Sequence, residues 1–310
     1  MSTSYTYAAC LENAYKVNWR IDDVIGGRAF DLEKRWLPMS LSGASRIGCL
    51  DEEEQRKLTQ VEMAAYTHLF GYVEEFIAPK ISSLAQDFEV DGREAFDALT
   101  NFAAEEVKHM NLFRQLRVLV DETLGFETLL LGGQAETARF VLSKSTGAVL
   151  LLTAVIEWFT QRHFQEAFRE DDDLDAFTKD IFRAHWQEES QHAKMDHLET
   201  LRAFEAMNDA ERDQSIDELI ELVGAVDGLL QKQAGYDVEN LARHLDRELT
   251  IAETREVYEG VLAAKRWTFI ESGTTHPNFG ELFLEVTTAD QQARVGAALA
   301  SVLGTTPQPA

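Results

Sequence analysis

The sequence is short of positive charge. It carries 29 Lys and Arg against 54 Asp and Glu, a formal net charge of −25. Binding to nucleic acid or to an anionic membrane surface runs on Lys and Arg, so neither is an expected partner. Cysteine is scarce too: Cys10 and Cys49 form no CxxC or zinc spacing, which fits a reducing, cytoplasmic setting. There are only 5 prolines, and with 45% hydrophobic residues this suits a globular helical protein. Long apolar runs are absent. The most apolar stretch, GAVLLLTAVIEWF (Gly147–Phe159), is too short to span a bilayer and contains Glu157. The N-terminal MSTSYTYAACLENAYK lacks a basic region followed by an apolar one, so no signal peptide is expected. No β-type alternation stands out.

Helical periodicity is what the 310 residues do have. Residues 1–50 read as an N-terminal helix and an irregular segment packing on a core. Asp51 with Glu54 makes a capping-box start for a long helix that Pro79 ends or kinks. A second long helix follows VDG (90–92) to about Val120, a third spans about Ser145–Arg169, and a fourth about Leu174–Met207. The expected fold is all-α: a four-helix core over 51–207, additional helices of the same domain over 208–303, and a disordered tail, 304–310.

Each of two long helices carries Glu-Glu-x-x-His. The second helix has EEVKH (Glu105, Glu106, His109), and the fourth has EESQH (Glu188, Glu189, His192). Residues three and four apart share a helix face. A Glu and a His one turn apart can therefore bind one metal, or the Glu can bridge two. One such pair is an ordinary surface pair. Two on facing helices make a pseudo-symmetric dinuclear site when each remaining helix adds a Glu, as in ferritin-like carboxylate proteins. On the third helix that is Glu157, the one charged residue of its apolar stretch; a lone buried carboxylate is costly unless paired, protonated or metal-bound. The first helix offers Glu62, Glu74 and Glu75, and spacing does not choose among them. His185 stands one turn before Glu189 on the same stripe, as a further ligand or a supporting group, and Asp196 continues the stripe.

Together these residues resemble the p-aminobenzoate N-oxygenase family of ferritin-like di-iron enzymes. HWQEESQH matches its His-x-x-acid-Glu-x-x-His motif, EEVKH its first motif, AVIEWF its third-helix Glu, and VEEFIAP its first-helix Glu stretch. The resemblance covers about residues 35–205. It implies Glu74, Glu106, His109, Glu157, His185, Glu189 and His192 as metal ligands, with Glu105 and Glu188 supporting them; Asp196, on the same stripe, reads as a further supporting acid, and Lys108, between the first motif's ligands, as pointing outward. It further implies two iron ions (manganese suits the same ligands), O2 as co-substrate, a peroxo-diferric intermediate and oxygen transfer to an arylamine-type nitrogen. Electrons come from an external reductase, because no flavin or nicotinamide fingerprint is present. A cytoplasmic homodimer is the expected assembly. Phe113, where radical-storing relatives of the superfamily carry Tyr, argues against a radical role.

Residues one turn from the ligands should line the substrate pocket: Phe70, Phe102, Met110, Phe113, Ala154 and Gln161. No Arg lies within a turn of Glu74 to clamp a carboxylate, which points to an apolar or aromatic amine in place of p-aminobenzoate. The competing readings are another di-metal oxidoreductase of hydroxylase, desaturase or oxidase type, metal storage, and a metal-free helical binding protein.

Overall fold

The computed structural model describes residues 5–88 and 92–304. The expected tail beyond Gly304 lies outside them. Helix α1 spans Tyr7–Val17, and the short α2 (Ile21–Ile25) and α3 (Met39–Ser42) follow. The long helices are α4 (Glu52–Ala85), α5 (Arg93–Leu124), α7 (Thr146–His163) and α8 (Ala176–Ala206), with α6 (Gln134–Leu142) on the crossover between α5 and α7. The C-terminal part adds α9 (Asp209–His244), α10 (Ile251–Arg266), α11 (Ser272–Thr274), α12 (Pro277–Val286) and α13 (Ala289–Leu303). Among the described residues there is no β-strand, only an isolated bridge between Arg35 and Leu174.

Helix starts are written locally. The Asp51 side chain accepts from Glu54 N–H at 2.9 Å while the Glu54 carboxylate accepts from Asp51 N–H at 3.1 Å. The same reciprocal cap opens α9 with Asn208 and Glu211, and α10 with Thr250 and Glu253. Pro79 does not end α4, which runs on to Ala85. The missing N–H costs one intrahelical bond, and Phe76, Ile77, Ala78 and Ile81 are buried on both sides of it, so packing holds the helix together.

Helix α4 packs along α5, and α7 along α8. Sequence periodicity led to four long helices, but α9, with 36 residues, is a fifth and packs on α4, α7, α10 and α13. Its glycines Gly224, Gly228 and Gly235 lower helix propensity, yet each sits in open space without breaking it. One apolar cluster runs from Cys10 through the long helices to Val295. At Gly273 a β-carbon would collide with the Val155 carbonyl, so glycine lets α11 press directly on α7. Truncating a fully buried side chain in this core, such as Phe102, costs about 3–5 kcal/mol.

Candidate metal centre

Helices α5 and α8 bring their two motifs face to face, each at mid-helix with its glutamates and histidine buried. His192 Nδ1 stands 2.7 Å from Glu106 Oε1 and 2.8 Å from Glu189 Oε2. His109 Nδ1 stands 2.9 Å from Glu189 Oε1. His185 Nε2 lies 2.6 Å from Glu189 Oε1 and 3.6 Å from Glu74 Oε1. Two sets result whose ligand atoms lie within 4.8 Å of one another: Glu74, His109, His185 and Glu189, and Glu106, His109, Glu189 and His192. Both sets contain His109 and Glu189, so the two positions adjoin.

The outer nitrogens are fixed crosswise. His109 donates from Nε2 to Glu188 Oε2 at 2.9 Å, and His192 from Nε2 to Glu105 Oε2 at 3.0 Å. Each acid thus orients the histidine of the opposite motif and turns its Nδ1 toward the centre, where that of His109 is unpaired and that of His192 meets Glu189, the usual arrangement behind a ligating imidazole.

Several inward atoms approach one another without hydrogen-bond alignment. Both oxygens of Glu74 and of Glu106, both nitrogens of His185, His109 Nδ1 and Glu157 Oε2 are buried and make no hydrogen bond. Orphaned polar atoms at such density are costly, and aiming them at one small volume is what metal ligation requires. The electrostatics agree. Burial pushes Glu74 up to about 7 and, joined by the charge of Glu189, drives Glu106 and Glu157 up as well. His109 is pushed up to about 10: burial works against its charge, and Glu189 and Glu188 overcome that. Glu189 is held well below the usual carboxylate range despite burial, because His185, His192 and His109 surround it. The acids draw in positive charge, and divalent ions fit that demand. Mixed imidazole and carboxylate donors suit iron or manganese.

Of the three first-helix candidates only Glu74 faces His185. Glu75 is half-buried at the edge, 3.4 Å from Arg114. Glu62 pairs with Lys265 elsewhere in the bundle. Glu157 is buried beside Glu189 but belongs to neither four-residue set. Asp196 is buried one turn beyond His192 and hydrogen-bonds to no histidine of the centre through its carboxylate; both of its oxygens are unpaired.

Lys108 does not point outward. Its Nζ donates to Glu188 at 2.5 Å, to Asn18 Oδ1 and to the Trp19 carbonyl. Trp19 lies parallel to the His109 ring at 5.9 Å and beneath the Lys108 ammonium at 4.4 Å. The N-terminal segment thus covers one end of the centre, which no local spacing announces. Sequence reasoning also missed a buried pair behind the centre: Tyr66 Oη is 2.8 Å from His163 Nδ1.

Of the residues expected to line the substrate pocket, Phe70 faces a cavity beside the centre, and the rest do not line that cavity. Phe102 stacks on His192 at 3.9 Å, Phe113 stands edge-on to His185 at 5.0 Å, and Gln161 reaches the Trp186 carbonyl at 3.4 Å. Met110 is half-buried against Arg114, and Ala154 is packed in the core.

Among solved structures the chain is similar to R2-like ligand-binding oxidases. One is a mutant with a non-activated Mn/Mn cofactor, at TM-score 0.44 and 14% identity over 86% of this chain and 94% of that one. Another is a mutant with an aerobically reconstituted Mn/Fe cofactor, at TM-score 0.40 and 14% identity over 99% and 96% of the two chains. No curated protein matches. The family model described as p-aminobenzoate N-oxygenase AurF matches residues 10–255. With its paired Glu-x-x-His helices, ferritin-like fold and buried His/Glu cluster, the chain belongs to the p-aminobenzoate N-oxygenase AurF family and is a di-metal oxidoreductase.

Proposed function

We propose that Glu74, Glu106, His109, Glu157, His185, Glu189 and His192 hold two iron ions, and that the enzyme uses O2 to place an oxygen atom on the nitrogen of an apolar arylamine. The observation that carries this reading is the pair of four-residue sets sharing His109 and Glu189, which supports two adjoining ions. When bound, the metals supply O2 activation. In the net reaction the amine N–H becomes N–OH, the second oxygen leaves as water, and two electrons and two protons enter from an external reductant.

The chain's own residues set the conditions. Four carboxylates balance the four positive charges of two ferrous ions, and three neutral imidazoles add donors without adding charge. Glu105 and Glu188 hold His192 and His109 in the tautomer that leaves Nδ1 as a donor atom. Phe70 and Phe113 pack edge-on to His185, Phe102 stacks on His192 and Trp19 lies over His109, and together they exclude water from the site. His185 separates this reading from a hydroxylase, desaturase or oxidase, and its place in one set supports N-oxygenation.

We take residues 51–207 as the catalytic core, 208–303 as helices of the same domain, and Asp196 as a supporting acid. The working assembly is a cytoplasmic homodimer fed by an external reductase. No helix among the described residues is long and apolar enough to cross a membrane. Anaerobic Fe(II) loading followed by metal analysis tests the central claim: two irons per chain are expected, and fewer than one would sink it. Isotopically labelled O2 with an arylamine should then give a hydroxylamine carrying one labelled atom.

A further inference from the structure

Two apolar cavities share one wall. The first begins beside the centre at Phe70, Val73, Ile156 and Phe159, the neighbours of Glu74 and Glu157, and runs outward between α6 and α9. The second lies beyond it, between α7 and the C-terminal helices, at Val155, Phe279, Phe283 and Leu299. Leu152, Val226 and Phe269 line both. No charged side chain lines either one. Cavity volumes of about 70 Å³ and 150 Å³ suit a slender alkyl chain.

This lining selects against charge. A substrate carboxylate would be stripped of water with no Lys or Arg to receive it, and an alkylammonium would suffer likewise. An arylamine is neutral near pH 7 because its lone pair is delocalised into the ring, so it enters without that cost. An alkyl tail gains from every methylene buried. Phe70 stands edge-on to His185 at 5.2 Å, so its ring is the wall between the inner end of the first cavity and the centre.

We propose that the substrate is a neutral arylamine bearing an unbranched alkyl group para to its nitrogen. The tail lies in the first cavity and, when longer, passes Leu152, Val226 and Phe269 into the second. The inference rests on the oxygenase reading for the amine end only; the tail site is a property of the apolar helices.

Calorimetric titration of the full chain, metal-free and iron-loaded, with aniline, para-butylaniline, para-hexylaniline and p-aminobenzoate tests it. Kd should fall about fourfold per methylene in both forms, and p-aminobenzoate should bind no better than aniline. Leu152→Phe, or Val226→Phe at a half-buried position that tolerates volume, should cancel the gain from butyl to hexyl while iron content stays unchanged. A series flat in tail length, or p-aminobenzoate binding tighter than para-hexylaniline, overturns the proposal. A protein that shows the series but takes up no iron keeps the tail site and loses the oxygenase reading. Two irons with a flat series does the reverse.

Discussion

Helix α4 carries two buried glutamates, Glu62 and Glu74, twelve positions apart, each only 2% exposed. Their surroundings are opposite. Glu62 lies 3.6 Å from Lys265, whose Nζ is also 2.6 Å from Asp237, and Gln233 donates to the far oxygen of Asp237. That cluster contains its own cation. Burial pushes Glu62 up to about 8, so near neutrality it is largely protonated and the group as a whole is close to uncharged. Glu74 belongs to a cluster of acids and histidines into which no Lys or Arg reaches; Lys108 stops at Glu188 behind it. A buried acid cluster with an internal lysine is complete as a piece of architecture. One without it needs a cation from solution.

This contrast can be broken experimentally. Glu189, common to both four-residue sets, should give the largest effect: Glu189→Ala should lower iron from two to below one per chain by metal analysis, while Glu75→Ala leaves it at two. Lys265→Met should do the converse. It strands a buried Asp237 and should lower unfolding free energy by about 3–5 kcal/mol in denaturant titrations, with iron still at two per chain. Equal iron loss in both variants would erase the distinction drawn between the clusters. Glu188→Gln or Glu105→Gln should weaken iron affinity by about 10–100-fold in chelator competition, because each removes the acid behind one histidine and leaves the inward atoms in place.

The most gradual effect, per unit of the variable changed, concerns pH. Glu62 binds its proton more tightly in the folded chain than in the unfolded one, where its value is the ordinary 4.5. Its stabilising contribution is full below that value and is lost as pH rises toward about 8. Lys265 and Asp237 face it from α10 and α9, and neither is altered in Glu62→Gln. That variant should therefore lose stability less steeply over this window, by up to about 1.4 kcal/mol per pH unit. Parallel curves for the two proteins would show that Glu62 keeps its charge when folded.

The same comparison explains what could be read in advance. The paired motifs, the buried Glu157 and the starts of the four helices follow from periodicity and caps, which are local, whereas the run of α4 past Pro79 rests on packing. Glu62 and Glu74 could not be separated that way. Twelve residues turn a helix by about 120° beyond whole turns, yet α4 is buried on nearly every side, so phase marks no preferred face. What distinguishes them is Lys265 for one and His185 for the other, both far along the chain. Trp19 and Asn18 over Lys108 were hidden for the same reason. Crosswise support by Glu105 and Glu188 was legible only in part: their place beside each motif glutamate implied a supporting role, but only the facing of α5 and α8 shows whose histidine each one holds.

Trp19 has an optical consequence. Its indole lies parallel to the imidazole of His109 at 5.9 Å, whereas Trp158 and Trp186, which follow Glu157 and His185 in the chain, stack on His276 and Phe164 instead. A paramagnetic ion bound to the far side of that imidazole would quench the indole's emission at short range. With metal held as proposed, Trp19 emission would report the loading, and Trp19→Phe should reduce the metal-dependent quenching without changing the amount of metal bound.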